Sequence, residues 1–255
     1  DRRVSLRPLV LFALSFLSIR RIGRRESLPQ RSEQPSRLGR RVREGVRFVV
    51  GDASLRTVCL ASAAFQFAFA ALMTVYLLFL PRELDLSGTA VVLSLAATGP
   101  GALLGSVLAA RLPGRFGHGA VLVSAAALGD GVFLCVPALH GSPAVTVPVL
   151  LAVSFVFGAG GQLVNVTVMS VRQALTPTGL QGRVAATITW AGMGTTPLGS
   201  LLGGFLAQEW GLRTGLLVAS AAMLLSPILM ALSPLTRLGR TLPVLGELGG
   251  PLPFP

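Results

Sequence analysis

The sequence contains no lysine, so all 22 of its basic residues are arginines. Without lysine there is no Gly-x-x-x-x-Gly-Lys-[Ser/Thr] phosphate loop, and the chain cannot drive transport with ATP by that motif. Only two cysteines occur, Cys59 and Cys135, both inside apolar runs. They give no disulfide framework and no metal spacing, and read as small buried hydrophobes. The two histidines, His118 and His140, stand apart in short loops, so no metal site is expected. No Gly-x-Ser-x-Gly elbow and no His-Glu-x-x-His helix occurs. An intramembrane hydrolase is therefore disfavoured, and no catalytic residue, enzyme activity or cofactor is expected. Charge of either sign is scarce, at 13% of the 255 residues, against about 25% in an ordinary soluble domain.

What fills the sequence instead is apolar. Mean hydropathy is +0.71, which places the chain in the membrane class. The net charge of +12 could point to nucleic acid, but its distribution does not. Ten arginines lie between Arg20 and Arg47, and the rest are mostly single residues between long apolar runs. A nucleic-acid binder would display a basic face on a soluble fold, and no such domain is visible. The bilayer is the expected partner.

Six apolar runs lie near 57–80, 88–110, 119–139, 146–169, 184–207 and 214–234. Each is long enough to span with modest tilt, and strand alternation is absent, so an all-α six-helix membrane bundle is expected. Residues 1–19 hold a 12-residue apolar run, Pro8–Ile19, followed by Arg20 and Arg21. It has no small-residue cleavage site and is shorter than the about 20 residues a span needs, so it reads as the end of a truncated transmembrane helix. Residues 20–56 form a basic linker. Its first part, 20–42, is expected to be flexible, and 43–56 carries an amphipathic stripe of Val46, Val49 and Val50. The tail 235–255, rich in Pro, Gly and Leu, is expected to be disordered.

Arginine also orients the spans. With 20–56 in the cytoplasm, Arg111, Arg115, Arg172, Arg183, Arg237 and Arg240 fall on the same side, and only Arg82 and Arg213 fall outside. A plasma-membrane protein with both ends cytoplasmic is the expectation. The six spans divide into two groups of three, each with an Arg-bearing cytoplasmic loop (111–118 and 170–183), an approximate internal repeat of the kind transporters use.

Polar residues inside spans are costly and mark candidate sites. Gln66, Phe69, Met73 and Tyr76 share one helical face of the first span, and Ser94, Thr98, Gly101 and Gly105 one face of the second. Gly158, Gln162 and Asn165 share a face in the fourth, and Thr187, Trp190 and Gly194 in the fifth. Two readings stay open for each face: a cavity for a mainly apolar small molecule, or hydrogen-bonded glue between helices. Asp130 is the one carboxylate deep inside a span and is flanked by Gly129 and Gly131. A carboxyl group taken out of water can carry a proton, which makes Asp130 a proton-coupling candidate; pairing with a neighbouring helix is the alternative. Two small-xxx-small pairs, Gly101/Gly105 and Gly199/Gly203, lie in spans that also hold Pro100 and Pro197, a pattern for close packing and bending.

Three stretches carry a resemblance. Arg172-Gln-Ala-Leu-Thr-Pro177 with Leu180-Gln-Gly-Arg183-Val resembles the loop between the tenth and eleventh helices of major facilitator exporters. Within that superfamily it looks like the branch that includes the enterobactin exporter and macrolide efflux proteins. Gly194-Thr-Thr-Pro197-Leu-Gly199 with Gly203-Gly204 is similar to the eleventh helix, and Arg43-Glu-Gly-Val-Arg-Phe48 with Leu55-Arg56 to the end of the central loop. The match covers roughly residues 8 to 235. It implies the second half of a twelve-helix fold, with these six spans as helices seven to twelve and a missing N-terminal six-helix half as partner. It also implies alternating access and proton-driven efflux of a small hydrophobic compound, drug or siderophore. Helices seven, eight, ten and eleven would line the cavity, with nine and twelve peripheral, and Arg111, Arg115, Arg172 and Arg183 would serve the cytoplasmic gating loops. One departure is clear: in Leu112-Pro-Gly114-Arg115-Phe-Gly-His118, Gly114 stands where the family's loop carries an acid. Two other readings remain, a six-helix permease subunit of an ATP-driven transporter and a non-transporting remnant.

Overall fold

Asp52 opens the first long helix by accepting the Leu55 backbone N–H at 2.8 Å, a side-chain N-cap. In the computed structural model, which describes residues 38–240 together with Ser18, ten α-helices follow in order. They are α1 (Leu38–Gly51), α2 (Ala53–Glu83), α3 (Gly88–Ala96), α4 (Thr98–Ala109), α5 (Leu112–Phe116), α6 (His118–Gly131), α7 (Pro143–Leu175), α8 (Gln181–Glu209), α9 (Gly211–Met223) and α10 (Leu225–Ala231). A 3₁₀ segment, Val132–Ala138, continues α6, and another, Pro234–Arg237, follows α10. No strand occurs among the described residues, so the protein is all-α. The truncated-helix and flexible-linker expectations for 1–37, and the tail beyond 240, lie outside the described residues apart from Ser18.

Among the described residues, five segments are long and apolar enough to cross a bilayer: Ala53–Glu83, Gly88–Ala109, His118–Ala138, Pro143–Leu175 and Gly211–Ala231. The sixth long helix, α8, has 29 residues, about 43 Å at 1.5 Å per residue, which is length enough to span. It is more polar than the others because it carries Gln181, Arg183, four threonines and six glycines. Two of the six segments are broken by proline. The α3–α4 segment breaks at Ala97, three residues before Pro100, and α9–α10 breaks at Leu224, three before Pro227. A proline has no N–H for the preceding turn, so the ladder is interrupted there.

Glycine decides which helices touch. On α4, a Cβ at Gly101 or Gly105 would run into the carbonyl oxygens of Phe155 and Ala159 on α7. On α8, a Cβ at Gly199 or Gly203 would run into the carbonyls of Phe67 and Ala71 on α2. Both contacts set a glycine pair at i, i+4 against a backbone pair at i, i+4. They occupy corresponding places in the two three-span groups, so the internal repeat is built into the packing. Small residues are what allow such close approach where lipid supplies no hydrophobic drive.

Two apolar cores sit at opposite ends of the bundle. Near α1, Leu55, Val58, Leu122, Val171, Val184 and Leu235 are buried together. At the far end, Tyr76, Phe79, Leu80, Phe133, Leu150 and Leu216 form the larger cluster. The chain after α10 folds back on α6: the His118 and Gly119 N–H groups donate to the Gly239 and Leu238 carbonyls at 3.1 Å each, tying this strap to the start of α6.

At the far end, Arg213 on α9 joins three elements. It pairs with Glu83 of α2 at 2.9 Å, donates to the Pro137 and Leu139 carbonyls at 2.9 and 3.1 Å, and lies 5.3 Å over the Phe79 ring. Arg213→Ala strips both carbonyls of their donor. The site is about one-third exposed, so the expected loss is about 1–3 kcal/mol rather than the full cost of a buried charge pair. Arg213→Lys should recover only part of it, because an ammonium cannot reproduce the fork. Thermal unfolding of the purified protein in detergent reads both.

Candidate functional site

Between the two cores, α2, α6, α7, α8 and α10 leave a cavity of about 330 Å³. Along α7 it follows one helical face from Gly161 through Asn165 to Arg172, roughly 16 Å of axis. Its inner end lies at one depth on two helices: Phe65 is twelve residues into α2 and Asp130 twelve into α6, each roughly 18 Å from the end of the bundle that carries α1. The lining is mainly apolar. Its polar groups are Ser62 and Gln66 from α2, Asp130 from α6, Asn165 and Arg172 from α7, Thr189 from α8 and Ser226 from α10.

Asp130 reaches this place through glycine. A Cβ on Gly160 would lie 2.7 Å from the Ala125 carbonyl oxygen, and one on Gly129 would lie 3.2 Å from the Gly160 Cα. The α6 and α7 backbones therefore touch at Gly129 and Gly160, and the next residue, Asp130, is held against the cavity. It is 4% exposed. Its carboxylate makes no ion pair or hydrogen bond among the described residues, whose three ion pairs are Arg40–Glu44, Arg183–Glu44 and Arg213–Glu83. The resemblance implied a peripheral ninth helix; here α6, at that position, supplies Asp130 and Ala126 to the lining.

The candidate residues separate into three groups. Gln66, Asn165, Arg172 and Asp130 line the cavity, and Gln66 packs across Gly192 of α8, where a Cβ would lie 3.2 Å from its Cγ. Others pack between helices. Ser94 is fully buried and donates to the Val91 carbonyl at 2.8 Å, and the Thr98 backbone receives Gly158 of α7. Phe69 stacks between Phe65 and Phe157 with centroids 5.5 Å apart on each side. Met73 packs against the far-end core, and Tyr76 stands edge-on to Phe133 at 5.6 Å. Thr187 meets α1 at Gly45. A third group is open: Trp190 is 81% exposed, and Gln162 is half-buried on the α7 surface. Ser62, Thr189 and Ser226 were missed. Ser62 carried a signal, since it lies four residues before Gln66 on the same face.

The four arginines assigned to gating loops all lie at the α1 end. Arg111 and Arg115 are exposed, with Arg115 lying 5.5 Å over the Phe116 ring. Arg172 rests 2.6 Å from the Met169 sulfur. Arg183 pairs with Glu44, which locks α1 to the start of α8. Of the valine stripe expected on α1, Val49 is buried against the bundle, while Val46 and Val50 stay exposed beside Val42. Gly45 permits this docking, since a Cβ there would lie 2.8 Å from the Thr187 Oγ1 and 3.0 Å from the Arg183 carbonyl. Gly45→Ala is expected to lift α1 at a cost of about 1–2 kcal/mol, read as faster hydrogen exchange across 39–50. Glu44→Gln, which removes the charge from both Glu44 pairs, to Arg40 and to Arg183, should cost about 1 kcal/mol or less, because both are part-exposed.

Long apolar helices joined by short turns, small-residue crossings and an acid-bearing cavity within the bundle define a multi-pass membrane transporter. The chain belongs to the transmembrane secretion effector family of major facilitator transporters, whose family model matches residues 9–242. No curated protein and no solved structure matches it. Membership brings the lipid bilayer and a small-molecule substrate as partners, and it is a transporter family rather than an enzyme family.

Proposed function

We propose that the protein is the C-terminal half of a proton-driven exporter that moves a small, mainly apolar compound out of the cell, with α1 and the Arg172 end of the cavity facing the cytoplasm at the plasma membrane. The observation that carries this reading is Asp130: a buried carboxylate without a partner among the described residues, lining a cavity that runs to Arg172. A carboxyl group so placed gains or loses a proton at the expense of its neighbours in the cavity, which is the coupling an antiporter needs.

The two-half arrangement is supported by α8. Its outward face carries Trp190, Met193, Leu198 and Leu201, all more than half exposed, interleaved with Thr189, Gly194 and Gly204. A helix of this polarity suits contact with a second bundle better than contact with lipid alone. The test is efflux of a fluorescent dye from cells making this chain alone and from cells making it joined to a first six-helix half. Efflux only from the joined protein, abolished by an uncoupler, is the expected result. Uncoupler-sensitive efflux from the 255-residue chain alone would remove the half-transporter reading, and efflux indifferent to the uncoupler would remove proton coupling.

A further inference from the structure

The inner end of the cavity has a composition that selects a substrate class. Asp130 of α6 and Phe65 of α2 both line it, each twelve residues along its helix. Phe65 is the first of a run of rings: it stacks on Phe69 at 8° between planes, Phe69 on Phe157 at 13°, and Phe157 meets Phe133 edge-on at 70°. These contacts hold the Phe65 ring, so the lining offers a held aromatic surface and a carboxylate. Two carboxamides, Gln66 and Asn165, flank them. The one other charged group in the lining, Arg172, lies roughly 16 Å along α7 from Gly161, too far to pair with Asp130.

We propose that this inner end is a binding site for a compact aromatic amine in its cationic form, with the ammonium on Asp130 and the ring against Phe65. The inference rests on the cavity being the substrate site and adds the charge and shape of what enters it. A buried carboxylate with no protein cation beside it leaves an ammonium ligand as its counter-ion, whereas an anion would meet Asp130 unpaired. Size points the same way. About 330 Å³ is at the small end of ligand pockets. It accommodates a fused-ring amine.

The test uses the 255-residue chain in lipid nanodiscs and three matched probes: 2-(1-naphthyl)ethylammonium, the neutral 2-(1-naphthyl)ethanol and the anionic 1-naphthylacetate. Calorimetry should show the ammonium binding at least tenfold more tightly than the alcohol and the acetate binding weakest. Asp130→Asn should bring ammonium and alcohol to equal affinity without weakening the alcohol, and Asp130→Glu should keep the preference. Phe65→Leu should weaken ammonium and alcohol by a similar factor. Equal binding of ammonium and alcohol to the unaltered protein, a preference for the acetate, a preference untouched by Asp130→Asn, or no binding of any probe would each overturn the proposal. Failure here is separable from failure of the transport reading. Selective binding without uncoupler-sensitive movement of the ammonium would remove proton-driven efflux and leave the site, while proton-driven efflux of an uncharged dye with no amine preference would do the reverse.

Discussion

Gly199→Ala is expected to unfold the bundle, while Gly194→Ala, the same change in the same helix, is expected to leave it intact or slightly firmer. At Gly199 the new methyl would enter the carbonyl oxygen of Phe67 and also meet the Ala70 Cβ at 3.1 Å. The obstacle is backbone, which cannot rotate away, so α8 must move off α2. Overpacking of this kind costs about 3 kcal/mol or more at the upper end of its usual range. At Gly194 nothing lies within 4 Å of the added carbon. There the helix gains the propensity difference between alanine and glycine, about 0.5–1 kcal/mol. The repeat predicts the same pair of outcomes on the other side: Gly101→Ala should fail against the Phe155 carbonyl, and Gly99→Ala, which meets open space, should not. Detergent-solubilised protein, followed by size exclusion and thermal unfolding, separates the four variants. Equal behaviour of Gly199→Ala and Gly194→Ala would mean that α2 and α8 are not in backbone contact.

These glycine pairs were legible in the sequence because close helix packing in lipid has so few solutions. The same constraint made the helices legible: a backbone in a bilayer must bond to itself, so long apolar runs can only be helices. The repeat showed as two Arg-bearing loops and reappears as two glycine crossings. The division between cavity and packing faces was not legible. Ser94 with Thr98, and Gln66 with Asn165, are both small or polar residues at helical spacing, and either set satisfies either reading. What separates them is which helix lies opposite: α7 presses onto Thr98 and Gly101, whereas Gln66 meets a glycine, Gly192, on α8 and lines the cavity. Asp130 is the sharpest case. Its flanking glycines were visible, but its position in the cavity depends on Gly129 meeting Gly160, a contact across 31 residues of chain. The strap at Leu238 and Gly239 left no trace because it is held to α6 mainly by backbone groups, which every sequence has.

Asp130→Asn is expected to abolish proton-driven transport while leaving the protein folded. The amide has nearly the shape of the neutral carboxyl group but can neither take up nor release a proton. Because no described residue forms an ion pair with Asp130, the change leaves no buried cation stranded, and a stability loss large enough to mimic loss of function is not expected. In everted vesicles carrying the protein joined to a first six-helix half, with an imposed proton gradient, a transported amine should dissipate the gradient faster than in protein-free vesicles when Asp130 is unaltered or changed to Glu, and no faster in Asp130→Asn. Arg172→Ala supplies the contrast. It opens the far end of the same cavity and removes a charge that rests on Met169, so it should alter the rate of transport and leave the coupling in place. Gradient dissipation by Asp130→Asn equal to that of the unaltered protein would move the proton to another group. The other described acids all lie at the ends of the helices and none lines the cavity: Glu44 and Asp52 at the α1 end, Glu83, Asp85 and Glu209 at the other. Coupling would then have to come from a group other than Asp130, which would keep only the task of receiving the cation.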